Sequence, residues 1–144
     1  MNTYVVDASI VIKWVVEEDG TPEALDLREK GRLIAPELLV AECANILWKK
    51  VEREELLRDE AILAARLLQS ADIELMPTRA LLEAATQLAI ETHHPAYDCV
   101  YLALALANDC RFVTADARFL RKLGQVGRRA LQHAAISLTE AARL

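Results

Sequence analysis

Thr3-Tyr4-Val5-Val6-Asp7-Ala8-Ser9-Ile10-Val11 decides how this chain folds. Tyr4 to Val6 has the character of a short buried strand. Asp7 stands where that strand gives way to an amphipathic helix over Ala8 to Val16, with Ile10, Val11, Trp14 and Val15 at helical spacing. The same arrangement returns late in the chain. Phe112-Val113-Thr114-Ala115-Asp116 leads from a strand beginning near Cys110 into a short helix over Ala117 to Leu123. Between them, Leu33-Ile34-Ala35 and Ile73 to Met76 supply two more strand-like runs, and Ala134 to Leu138 a weaker fifth.

Helical segments separate these runs. Pro22 opens a helix that Gly31 closes, the usual asymmetry of the two residues. Longer helices cover about Glu37 to Arg53, Arg58 to Ser70 and Thr78 to Thr92, and His93-His94-Pro95 breaks the last of them. Ala96 to Asn108 is apolar nearly all round, as a helix buried against a sheet must be. Gln125 to Arg129 reads as a loop. Alternating strands and helices predict an α/β/α sandwich around a mainly parallel sheet of four to five strands.

Bulk properties narrow the class. With 144 residues, 53% hydrophobic and 27% charged, the chain reads as one globular domain spanning residues 1–144. No apolar run is long enough to cross a membrane, and the N-terminal residues lack the pattern of a signal peptide. Cys43, Cys99 and Cys110 form no Cys-x-x-Cys pair, which suits reduced thiols in the cytoplasm. The net charge of −5 excludes a general nucleic-acid coat, yet Arg111, Arg118, Arg121, Lys122, Arg128 and Arg129 cluster against the single acid Asp116. Such a patch beside an acidic site suits a polyanionic substrate, though a solvated helix face explains the charges as well. The chain has no phosphate-binding Gly-x-x-x-x-Gly-Lys-Ser/Thr loop, no dinucleotide fingerprint and no Gly-x-Ser-x-Gly elbow.

Four acids carry the functional argument: Asp7, Glu42, Asp98 and Asp116. Each has an ordinary structural explanation beside it. Asp7 and Asp116 are good helix N-caps, and Asp98 complements a helix dipole in the first turn. Glu42 is harder to explain that way, because it lies past the first turn of its helix, between Val40-Ala41 and Cys43-Ala44, with Asn45 at i+3. All four fall at corresponding ends of βα units, where open α/β sheets bind ligands. At ~4–5 Å and an effective dielectric near 20, each like-charged pair costs about 3–4 kcal/mol, so protons or a divalent cation must offset a convergent quartet. Ser9 and Thr114 are placed to support Asp7 and Asp116, or to act as ordinary turn hydroxyls. His93 and His94 lack a zinc-spaced partner and read as loop residues. Trp14 and Trp48 read as core or subunit contacts.

Val5-Val6-Asp7-Ala8-Ser9 and its following helix resemble the opening motif of PIN-domain ribonucleases, especially VapC toxins of VapBC toxin–antitoxin pairs. Ala35-Pro36-Glu37-Leu38-Leu39-Val40-Ala41-Glu42-Cys43-Ala44-Asn45 resembles the second motif of that family. Tyr97-Asp98-Cys99-Val100-Tyr101-Leu102-Ala103 is similar to the third, and Phe112 through Phe119 to the fourth. The resemblance implies a PIN-like α/β/α fold and a Mg²⁺- or Mn²⁺-dependent endoribonuclease. Asp7, Glu42, Asp98 and Asp116 would be its catalytic quartet. Asp7 and Asp98 would be the foremost metal ligands, with Glu42 and Asp116 as further ones. It assigns supporting places to Ser9, Asn45 and Thr114, and implies an RNA substrate, a VapB-type antitoxin that inserts a basic side chain, and a homodimer, for which exposed apolar residues near Trp14 or Trp48 are the candidate interface on this chain. Arg118, Arg121 and Arg128 are substrate-binding candidates from the charge map. Where many relatives carry another acid after the fourth motif, this chain has Arg118-Phe119-Leu120, so the resemblance does not extend to a second tightly held metal. Two other readings stay open on these residues: a non-catalytic PIN-like module that binds RNA or protein, and a metal-dependent enzyme acting on DNA or small phosphoesters.

Overall fold

The structure is a computed structural model, and it describes residues 2–144. Five strands, β1 (Asn2–Val6), β2 (Gly31–Pro36), β3 (Glu74–Met76), β4 (Arg111–Thr114) and β5 (Ala135–Ser137), form one sheet in the order β3-β2-β1-β4-β5. Every pairing is parallel. Parallel neighbours require crossover connections, and the helices between strands provide them. Buried on both faces, the central strands are apolar where they are deepest: Tyr4, Val5 and Val6 in β1, Leu33 to Pro36 in β2, and Phe112 to Thr114 in β4. The edge strand β3 exposes Glu74 and Leu75, and Glu74 pairs with Arg32 of β2, a charge that discourages edge-to-edge association.

The helices are α1 (Ala8–Val11), α2 (Thr21–Leu27), α3 (Leu38–Glu52), α4 (Arg58–Gln69), α5 (Leu82–Thr92), α6 (Ala96–Ala107), α7 (Ala117–Gln125), α8 (Arg129–Ala134) and α9 (Leu138–Ala142). The helix expected through Val16 is split, with α1 tightening into a 3₁₀ turn over Ile12–Trp14. Another 3₁₀ turn, Arg79–Leu81, precedes α5. α6 packs against β1, β2, β4 and α5 and buries Cys99 and Tyr101 to Ala105, as its apolar circumference predicts. Among the described residues, no helix is long and apolar enough to cross a membrane. Trp14 makes contacts within the chain: its indole N–H donates to the Ala24 carbonyl at 2.8 Å, and the Arg28 guanidinium covers its ring at 5.0 Å. It ties α2 to the turn and is half-buried, whereas Trp48 is 58% exposed.

Strand order turns back on itself between β1 and β4. From β1 the chain winds outward through β2 to β3, then returns to β4 on the opposite side and continues to β5. Loops leaving β1 and β4 therefore diverge and open a crevice at the carboxyl edge of the sheet. Asp7 leaves β1 and Asp116 follows β4 at that crevice.

Candidate metal centre

Register brings the first pair of motifs together. Val6 is paired with Val113, so the next residues along, Asp7 and Thr114, emerge side by side. Thr114 Oγ1 donates to Asp7 Oδ2 at 2.6 Å, and Ser9 Oγ donates to Asp7 Oδ1 at 2.5 Å. The Ile10 N–H also reaches Asp7 Oδ1, at 3.3 Å, so Asp7 is a helix N-cap as well as a candidate site residue. The hydroxyls are fixed in turn: the Ala115 N–H donates to Ser9 Oγ and the Asp116 N–H to Thr114 Oγ1. Asp116 caps α7 through the Phe119 N–H at 3.1 Å. A strand end at the crevice is also the start of the next helix, so the cap and the site are one position.

Glu42 and Asp98 arrive from two helices. Glu42, on α3, accepts a 2.5 Å hydrogen bond from the Tyr101 hydroxyl of α6. Asp98, in the first turn of α6, has its Oδ2 2.6 Å from His94 Nε2. Asp7, Ser9, Glu42, Ile46, Asp98 and Asp116 line one open depression of about 250 Å³. Asn45 is exposed and does not line it; Ile46, one residue further along α3, does. Arg118 and Arg121 are exposed on α7, which starts beside Asp116, whereas Arg128 is paired with Glu91 at 2.6 Å.

Burial and mutual repulsion hold three of the acids in the depression above the usual carboxylate range. Asp7, only 6% exposed, has its carboxyl raised from 3.8 to about 6. Burial is the main cause, the charges of Asp98 and Glu42 add to it, and the Ser9 and Thr114 hydroxyls oppose it. Glu42 is raised by burial and by the Asp98 charge, against the Tyr101 hydrogen bond. Asp98 is raised by burial and by the Asp116 charge, against the His94 hydrogen bond. Each of these groups resists its charge chiefly because it is buried, with the neighbouring acids adding to that resistance. A hard divalent cation with oxygen ligands fits that donor set.

His94 lies against Asp98 and Asp116, a placement that the zinc-spacing argument passes over. It is 9% exposed, and its ring lies 4.5 Å from that of Phe119. His94, Asp98 and Asp116 offer ligand atoms all within 4.8 Å of one another. The sequence signal is a histidine four residues before Asp98, just ahead of the proline that starts α6. A larger groove of about 460 Å³, lined by Leu39, Val40, Leu47, Leu68 and Leu75 among others, lies beside α3 and α4 and carries none of the four acids.

The family model described as PIN domain matches residues 4–124. Among solved structures, PAE2754 from Pyrobaculum aerophilum is similar at a TM-score of 0.70 and 22% identity, covering 99% of this chain and 91% of that one. A toxin–antitoxin complex from Klebsiella pneumoniae is similar at a TM-score of 0.61 and 12% identity, covering 94% and 97%. FitAB bound to an IR36 DNA fragment is similar at a TM-score of 0.64 and 13% identity, covering 94% of each chain. At these identities the structural likeness is one of fold. No curated protein matches.

Proposed function

This chain belongs to the PIN domain family, and we propose that it is a Mg²⁺- or Mn²⁺-dependent endoribonuclease, the toxin of a VapBC-type pair. The observation that carries the reading is the meeting of Asp7, Glu42, Asp98 and Asp116 at one depression on the sheet's switch point. Asp7 and Asp98 would hold the cation, with Glu42 and Asp116 beside them. When bound, the cation supplies Lewis-acid stabilisation of phosphoryl charge and acidifies water.

The chain's own residues prepare the reaction. Ser9, Thr114 and the Ile10 N–H fix both oxygens of Asp7, so its orientation is set before a ligand arrives. Tyr101 holds Glu42 in the same way. Asp116, half-exposed at the rim, orients the attacking water and takes its proton, with Glu42 as the other acid placed for that task. Arg118 and Arg121 contact flanking phosphates from α7; Arg128 reaches RNA only by leaving Glu91.

A VapB-type antitoxin would occlude the acids with a basic side chain. The apolar groove beside α3, rimmed by exposed Val40, fits the apolar part of such a partner. The toxin–antitoxin complex among the fold's neighbours supports a partner of that kind. Trp48 is an exposed aromatic available for a homodimer contact, and the cytoplasm is the compartment where RNA and antitoxin meet it. The test is cleavage of an RNA panel by pure protein with Mn²⁺. Asp7→Asn and Asp98→Asn should each abolish cleavage while the far-ultraviolet circular dichroism stays that of the native fold. Full activity in either folded variant would refute the proposal.

A further inference from the structure

Lys122 of α7 stands behind His94. Its Nζ lies 3.1 Å from His94 Nδ1 and donates to the His93 carbonyl at 2.8 Å. An ammonium has three protons and no lone pair, so Nδ1 must be the acceptor in that contact. The ring proton then sits on Nε2, which donates to Asp98 Oδ2 at 2.6 Å. Three further features hold the ring there. Phe119 packs on it at 4.5 Å. His93 adopts a left-handed φ of 53° that ends α5 and turns His94 inward. The His94 N–H is bonded to the Ala89 carbonyl.

The same geometry argues against His94 as a metal ligand, although its Nε2 falls within reach of Asp98 and Asp116. Coordination needs a lone pair on Nε2 and would move the proton to Nδ1, against the Lys122 ammonium. A contact of 2.6 Å also leaves no room for an ion between Nε2 and Oδ2. We propose that His94, backed by Lys122, is a positioning residue that locks Asp98 through its Nε2–H and is itself held off the cation. The cation site is then made of oxygen alone, on the side of Asp7 and Glu42. This rests on the metal-dependent reading above and adds a residue and a ligand chemistry to it.

The experiment loads full-length protein with Mn²⁺ and measures both its dissociation constant by calorimetry and the nitrogen modulation by pulsed electron paramagnetic resonance. Wild type should bind Mn²⁺ with no directly bonded nitrogen. His94→Leu should weaken binding roughly tenfold or more, the usual scale for an outer ligand-orienting group, and His94→Gln, which keeps an N–H at the same reach, should restore most of it. Should His94→Leu fail to fold, Lys122→Met serves: freed of the ammonium, the ring can turn its lone pair inward, so nitrogen modulation absent from wild type appears. Direct nitrogen coordination in wild type, or unchanged affinity in His94→Leu, overturns the positioning role while leaving the metal site intact. A wild type that binds no Mn²⁺ overturns the metal-dependent reading itself.

Discussion

Replacing Asp7 by asparagine should stabilise the metal-free protein near neutral pH, even though it destroys the site. The carboxyl of Asp7 is raised from 3.8 to about 6, chiefly by burial. Below the lower of these values both folded and unfolded chains carry the proton, and no penalty exists. As pH rises, the unfolded chain ionises first, so stability falls from about pH 4 to about pH 6 and the loss is complete above that. At about 1.4 kcal/mol per tenfold in proton affinity, the full loss is about 3 kcal/mol. Asparagine cannot ionise, and it still caps α1. It must, however, turn an N–H toward Ser9 or Thr114, where both hydroxyls now donate, at a cost of about 1 kcal/mol. The net gain is about 2 kcal/mol, or roughly 6 °C in melting temperature for a chain of this size.

Thermal and urea unfolding in chelator, near pH 4 and near pH 7, would measure it. Wild type should lose stability between the two, and Asp7→Asn should lose much less. Saturating Mn²⁺ should reverse the ranking, because an ion at ~100 times its dissociation constant adds about 2.7 kcal/mol to wild type alone. An Asp7→Asn variant less stable than wild type near neutral pH, without metal, would refute the claim that this carboxylate is held at a cost.

Other perturbations test separate parts of the structure. Tyr101→Phe removes the hydroxyl that donates to Glu42 at 2.5 Å. Urea unfolding in chelator should show a loss of about 1 kcal/mol near neutral pH, since Glu42 stays partly solvated. The loss should be smaller once acid has protonated Glu42, whose carboxyl is already raised by burial. Replacing Arg118 and Arg121 together by alanine should weaken single-stranded RNA binding by Asp98→Asn protein. The slope of log affinity against log salt should shrink by roughly 1.4, about 0.7 for each phosphate that is no longer neutralised. Gly31→Ala would press a methyl group into the backbone carbonyl of Asn2 across the β1–β2 pair, and calorimetric unfolding should show a loss of about 1–3 kcal/mol.

How far the sequence carries this description depends on the range of the forces involved. The strands and long helices are legible because apolar runs and helical spacing are local and are cut by Pro36, Pro77 and Pro95. The last two helices are not: α8 and α9 span Arg129–Ala134 and Leu138–Ala142, too short to stand without packing through Leu131, Ala134, Leu138 and Ala141. Asp7 and Asp116 are each open to two explanations, capping and catalysis, and the crevice makes them compatible, since the capped helix begins where the sheet ends. Asn45 shares a face with Glu42 on helical spacing, yet the depression continues to Ile46, a difference of one helical position set by how α3 packs. His94 escapes a reading by zinc spacing because its local partner, four residues on, is a carboxylate across a helix start, and its other partner is a lysine on α7 that only the fold brings near.

Anomalous scattering from a Mn²⁺-soaked crystal tests the central claim most directly. One manganese peak should lie in the depression, bonded to oxygens of Asp7 and Asp98 with Glu42 alongside. A fully soaked crystal with no peak there, and the four carboxylates turned apart, would contradict the account.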